Sequence, residues 1–235
     1  MSFKFLEEPD PALLAKRGEG TRYALIMAGL QLFGERGLEA TSTRMLAERA
    51  GANVASIPYY FGNKEGLYKA VVEYIVVRVR EHVGALVEET LGAMQTGRLS
   101  RREARRLLHK VLGGFATMFV ESDEPKSWAR IVMREQANPT DAFDIFYEGQ
   151  MKHVQAIATR LLSVCTGLDP EGVEAKLRAH ALFGQILNFL VSRESVLRAL
   201  GVERFDQNHV ELIHKVLAAH IDACLKAPAV EEVSS

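Results

Sequence analysis

The 235 residues carry 48% hydrophobic and 25% charged side chains, the balance of a folded globular chain long enough to bury a sizeable core. No apolar run reaches the ~18 residues that a membrane span requires, and no basic-then-apolar leader is visible, so a soluble cytoplasmic chain with no membrane partner is expected. The formal net charge of −1 speaks against a polyanion partner for the chain as a whole, but the charge is uneven: residues 11–70 hold eight Lys or Arg against five Glu, and the rest is net acidic.

Residues 1–20 open with the acidic, proline-containing FLEEPDPALL and pass into AKRGEG, which predicts a flexible N-terminal arm with helical character at 11–16. Arg17 and Arg22 are candidates for a nucleic-acid backbone or minor groove, though solvated charge accounts for both. A first helix is expected over 21–36, where Leu25, Gly29, Leu32 and Phe33 recur at helical spacing and Gly37 stops the run.

The stretch 41–64, TSTRMLAERAGANVASIPYYFGNK, reads as two short helices around a glycine turn. Thr41 or Ser42 can accept from an unpaired N–H of the opening turn. Leu46, Ala47 and Ala50 share one side, while Thr43, Arg44, Glu48 and Arg49 share the other. Gly51 ends the helix because glycine enters the left-handed region without steric cost. Asn53 suits an N-cap, Val54, Ala55, Ser56 and Ile57 then form the first turn, and Ile57 is the inward anchor. Pro58 has no N–H for the Val54 carbonyl, so this helix should be tight, bent or partly 3₁₀. Tyr59 is expected in the core, and Gly62 and Asn63 close this helix and cap the next. Such a pair can be plain packing, but a second helix of about two turns with small residues and a tyrosine also fits a groove roughly 12 Å wide.

A fourth helix from Asn63 buries Leu67, Val71, Ile75 and Val79 and is too long to serve a small head alone. Gly97 and Ser100 break it, and RREARRLLHKVLGGFATMFVES makes a fifth, whose Arg101, Arg102, Arg105 and Arg106 read as a solvated basic face. Further helices are expected over 127–136, 142–165, 170–192, 194–200 and 208–226, punctuated by Asn138-Pro139, Gly167, Asp169-Pro170 and Gly201. Strand signals are absent, so the fold class is all-α with about nine or ten helices, followed by a disordered tail at 227–235.

In EAKLRAHALFGQILNFLV, Leu177, Ala181, Gly184 and Asn188 cover one side and Leu182, Phe183, Ile186, Leu187 and Leu190 most of the rest. The last helix has Val210, Ile213, Leu217 and Ile221 on one side and Leu212, Val216, Ala219 and Ala223 on another. Helices apolar nearly all round must be buried twice, which predicts a homodimer. The interface is assigned to Leu177, Ala181, Gly184 and Asn188 with Val210, Ile213, Leu217 and Ile221. For a small-molecule effector, Phe115, Met118, Phe119, Trp128, Met133, Phe143, Phe146 and Phe183 offer apolar surface, with Arg130, Arg134, His153, Gln185 and Asn188 as orienting groups. Each aromatic taken singly reads more readily as core.

Catalysis finds no support. His209, His214 and His220 are spaced by five and six and share no face as i, i+4 ligands would, and no phosphate loop, nucleophile elbow or Cys/His cluster occurs. No metal and no cofactor are expected, and Cys165 and Cys224 read as reduced core thiols.

The string GLEATSTRMLAERAGANVASIPYYFGNKEGLYKAVVEY resembles the DNA-binding domain of the TetR (tetracycline repressor) family, in which the AERAG turn, the I-x-x-Y-F segment and the x-N-K-E-x-L helix start recur in this order. The resemblance implies a three-helix helix-turn-helix domain over 21–66 and a helical effector-binding and dimerisation domain over 67–226. It also implies DNA contacts from Thr43, Arg44, Val54, Ala55, Ser56, Pro58, Tyr60 and Lys64. Pro58 stands where many members carry Tyr, which shifts readout toward Ser56 and Tyr60. SWARIVMREQANPT is similar to the C-terminal domain of the family's CecR branch, linked to drug response and efflux control. The expected function is a regulator, repressing by binding a palindromic double-stranded operator as a dimer and released by a small hydrophobic or drug-like effector; the alternative is a helical scaffold that binds only protein.

Overall fold

The computed structural model describes residues 17–95, 99–122 and 124–230. Most of the N-terminal arm (1–16), Gly97 and the tail residues 231–235 lie outside that set. Every regular element among the described residues is helical: α1 Arg17–Arg36, α2 Thr43–Ala50, α3 Ser56–Phe61, α4 Lys64–Gln95, α5 Arg101–Glu121, α6 Glu124–Ala137, α7 Phe143–Phe146, a π turn Tyr147–Met151, α8 Lys152–Thr166, α9 Val173–Val191, α10 Arg193–Leu200 and α11 Gln207–Lys226. Helix α1 starts four residues before the expected 21. Gly18 and Gly20 weaken a helix by about 1 kcal/mol each without blocking it, and Glu19 in the first turn meets the positive end of the helix. The helix expected unbroken over 142–165 is divided by the π turn, where the small Gly149 lies buried against Val76 of α4.

The chain forms two compact units, one with the residues up to Val79 and Lys126–Met151, the other with Arg80–Pro125 and Lys152 onward. The boundary expected between 66 and 67 falls inside α4, and α6, α7 and the π turn group with the N-terminal head. In the first unit Leu25, Phe33, Leu46, Ile57, Leu67, Val71 and Ile75 are fully buried. The Tyr68 ring stands edge-on to Phe33 at 5.0 Å. Two adjacent side chains of α6 explain why this helix joins the head. Arg134 donates to the Phe33 carbonyl at 2.5 Å and the Glu35 carbonyl at 3.3 Å, placing a cation at the negative end of α1. Glu135, only 2% exposed, accepts from the Tyr68 hydroxyl at 2.7 Å and from the Thr140 N–H at 3.0 Å and hydroxyl at 3.1 Å. Burial, then the hydrogen bond to Glu135, pushes the Tyr68 phenol well above the ordinary tyrosine range.

The second unit is built on α5, whose Leu107, Leu108, Leu112, Phe115 and Met118 are buried among α8, α9 and α11. Arg105 is not merely solvated: it makes a two-pronged bond to Asp222 of α11 at 2.7 and 2.6 Å, joined by His109 at 2.8 Å. The described part of the expected disordered tail is held on α9. Arg178 donates to the carbonyls of Cys224, Ala227 and Pro228, and Glu174 accepts from the Val230 N–H at 2.9 Å. Cys165 and Cys224 are free and half-buried, and burial pushes both thiols up, away from the reactive thiolate.

The Arg105 bond, with His109 adding to it against a smaller burial cost, pulls Asp222 down to about 2. A carboxylate lowered in the folded state stabilises above its unfolded pKa of about 4 and loses that contribution as pH falls toward 2. Asp222→Asn is expected to lower Tm by a few degrees at neutral pH and by progressively less between about pH 4 and 2, read by thermal unfolding across an acid series. A Tm difference that stays constant across the series would show that this ion pair carries no pH-dependent stability.

Candidate nucleic-acid interface

The α2–turn–α3 unit forms through local hydrogen bonds that the sequence encodes. Ser42, in extended conformation, caps α2 by accepting the Met45 N–H at 3.3 Å. Thr41, the other candidate cap, is buried and returns its hydroxyl to the Gly37 carbonyl at 2.7 Å, closing the end of α1. Gly51 takes φ 61 and ψ 30, and with the Ala52 N–H bonded to the Ala47 carbonyl at 2.9 Å it ends α2 in a left-handed cap. The start of α3 differs from expectation. Asn53 accepts the Ala55 N–H at 2.9 Å in an Asx turn, so Val54 and Ala55 lie in a turn and the helix begins at Ser56. The Val54 carbonyl, which Pro58 cannot reach with a donor, instead takes the Ile57 N–H at 3.2 Å. This is the tightened opening that a proline at this depth imposes.

Ile57 is fully buried and anchors the helix. Of the residues assigned to DNA, Arg44, Val54, Ala55 and Pro58 are exposed, while Thr43, Ser56, Tyr60 and Lys64 are half-buried. Lys64 donates to the Leu38 carbonyl at 2.9 Å, which fixes its ammonium beside the α1–α2 turn. The core placement of Tyr59 is wrong: the ring is 80% exposed and packs only edge-on against Tyr60 at 4.8 Å. The signal was in the sequence, because two residues beyond the inward Ile57 a helical side chain points away from the core. Arg22 lies over the Phe61 ring at 5.4 Å. α3 abuts α4 at Gly66, where a Cβ would stand 2.0 Å from the Phe61 carbonyl oxygen.

The residues assigned to an effector do not form one set. Phe115, Phe119 and Phe183 meet in the second unit, with ring centroids 5.1 to 6.3 Å apart. Met118 and His153 belong to that unit, whereas Trp128, Arg130, Met133, Arg134, Phe143 and Phe146 belong to the first. Trp128 and Phe146 are core side chains there, and Phe143 stacks on Tyr147. Arg134, expected to orient a ligand, is engaged at the end of α1. Gln185 is bonded to His220 at 2.9 Å and Asn188 to Ser192 at 2.9 Å, both on the exposed side of α9. A cleft of about 290 Å³ lies at the C-terminal end of α5, lined by His82, Gly114, Thr117, Met118, Glu121 and Ser122. Of these only Met118 was expected; no residue spacing links α4 to α5 in the sequence.

The two helices expected at the dimer surface differ in exposure. On α9, Leu177 is 63% exposed and Ala181, Gly184 and Asn188 are exposed beside it. On α11, Val210, Ile213, Leu217 and Ile221 are 5–8% exposed and pack within their own protomer, whereas Leu212, at 59%, Val216, Ala219 and Ala223 face outward. The two stripes have equal spacing and similar apolarity, so periodicity alone could not choose between them.

A capped helix, a left-handed glycine turn and a second short helix with an outward row, braced by α1 and α4, define a helix-turn-helix DNA-binding head attached to a helical body. Residues 25–71 match the bacterial regulatory proteins of the tetR family, and residues 104–228 match the C-terminal domain of the HTH-type transcriptional dual regulator CecR. The chain belongs to the TetR family of transcriptional regulators, in the branch with the CecR-type C-terminal domain. It is 34% identical over 217 residues to the HTH-type transcriptional dual regulator CecR of Shigella flexneri, covering 92% of this chain and 96% of that one. It is 31% identical over 108 residues to the HTH-type transcriptional regulator BetI of Yersinia pestis (strain Pestoides F), covering 46% and 50%. Two solved structures share the fold at 18% identity: AibR in complex with isovaleryl coenzyme A and operator DNA, with TM-score 0.59 over 85% of this chain and 97% of that one, and a TetR transcription regulator from Haloarcula marismortui ATCC 43049, with TM-score 0.55 over 86% and 97%.

Gly66→Ala is expected to displace the end of α3 and abolish sequence-specific DNA binding while the second unit stays folded, measured by gel shift alongside circular dichroism. Wild-type affinity in this variant would mean that α3 tolerates movement at its junction with α4.

Proposed function

We propose that this chain is a cytoplasmic, ligand-responsive repressor that grips a palindromic operator as a homodimer. The observation that carries the reading is the outward row Val54, Ala55, Pro58 and Tyr59 next to the exposed Arg44. In this reading Ser56, Val54 and Ala55 meet base edges and thymine methyls, Tyr59 and Tyr60 flank the groove, and Arg44, Thr43 and Lys64 hold phosphates. The exposed stripes of α9 and α11 supply the dimer contact: Leu177, Ala181, Gly184 and Asn188 with Leu212, Val216, Ala219 and Ala223. Two recognition helices must then fall about 34 Å apart to enter successive major grooves. An effector bound in the second unit acts through α4, changes that separation and releases the operator. CecR bears the name of a dual regulator, so activation at some promoters is the second reading, distinguished by transcription assays at each bound promoter.

Selection of binding sites from random duplexes, followed by gel shift over a salt series, tests the main reading. Arg44→Ala is expected to weaken operator binding by about 1–3 kcal/mol, with a smaller salt slope if the contact is to phosphate. No shifted duplex at low salt would overturn the proposal in favour of a protein-binding scaffold. Leu177→Glu is expected to give a folded monomer by light scattering, with operator affinity reduced at least a hundredfold because both half-sites must be held together. Dimers that persist in Leu177→Glu would remove α9 from the interface.

A further inference from the structure

The cleft at the end of α5 has a chemical character that narrows the effector. Its floor is apolar and small, from Met118 and Gly114, and Thr117 and Ser122 add hydroxyls. Its formal charge comes from Glu121, whose carboxylate is 43% exposed and accepts from His214 Nε2 at 3.1 Å. Thr117, Met118 and Glu121 belong to the last turns of α5, the negative end of a helix of 21 residues, so the helix dipole and the carboxylate act with one sign. Arg193 is held to the Val120 carbonyl at 3.2 Å and lies over the Phe205 ring at 4.3 Å. At about 290 Å³ the space is at the small end of ligand pockets.

We propose that this cleft binds a compact organic cation, an ammonium joined to a short hydrophobic group, with Glu121 opposing the charge and Met118 receiving the apolar part. The assignment rests on the reading of the second unit as effector-binding. A carboxylate in a concave site concentrates cations over neutral or anionic analogues of the same shape, and the exposed Thr117 adds a hydroxyl at its edge.

The test uses the full-length protein and three probes with a common skeleton: phenethylammonium, phenethyl alcohol and phenylacetate. Calorimetric titration is expected to show binding in the order cation, alcohol, anion, with roughly tenfold or more between cation and alcohol. Glu121→Gln is expected to abolish that preference by weakening the cation far more than the alcohol. If Glu121→Gln is poorly folded, the methyl resonance of Met118 in the wild type gives a second reading: it shifts on saturation with phenethylammonium if the cleft is occupied. Equal affinity for cation and alcohol, cation binding unchanged in a folded Glu121→Gln, or an unmoved Met118 methyl would each overturn the inference. A protein that shifts its operator but ignores the cation fails this inference alone, whereas one that binds the cation but no operator fails the regulator reading.

Discussion

The head depends on a buried carboxylate. Glu135 is almost wholly removed from water, and an unpaired polar group in such a place costs about 1–3 kcal/mol, more if charged. The fold meets that cost with Tyr68 from α4 and with Thr140 from the loop after α6, so α4 and the end of α6, 67 residues apart, must come together for the carboxylate to be satisfied. The neighbouring Arg134 places its guanidinium at the C-terminal carbonyls of α1. Through these two adjacent residues α6 holds both helices that brace the recognition unit. The resulting geometry is stiff because polar bonds are directional where apolar packing is not.

That constraint explains which parts of the architecture were legible. The helix-turn-helix is written in local chemistry: the Ser42 cap, the left-handed Gly51, the Asn53 turn and the Asn63 cap each act within a few residues, so their positions follow from sequence spacing. The membership of α6 in the head was not legible, because Arg134 and Glu135 act on residues 67 to 101 positions away and the string MREQ carries no periodic mark of those partners. Tyr59 failed for another reason. Aromatic neighbours suggested a core cluster, whereas the buried Ile57 sets the rotation of a helix this short and turns Tyr59 to solvent.

Rotation decides the outer surface as well. α11 carries two apolar stripes of equal spacing, and the choice of which one packs inward is made by its neighbours. Asp222 settles it: bonded to Arg105 and His109 of α5, it fixes the α11 face that carries Ile221 toward the core. Leu212, Val216, Ala219 and Ala223 are left outward, level with the open stripe of α9 to which the His220–Gln185 bond ties the helix. A polar contact thus agrees with the apolar face that packs inward. The bond therefore contributes orientation as well as stability.

The same economy bears on how a small ligand could govern a large one. Loosening the Glu135 latch costs about 1–3 kcal/mol, more while the carboxylate is charged, and a small ligand shifts that equilibrium only by the difference in its affinity for the latched and loosened states. A shift of α6 by the few tenths of an ångström that lengthen a hydrogen bond would reach α1 and α4 together, because Arg134 and Glu135 are consecutive. In the proposed dimer, operator binding engages two heads at once, so a modest loss at each is multiplied. A latch much stronger than this would leave the head indifferent to a ligand of that size, and one much weaker would not define the recognition helix at all.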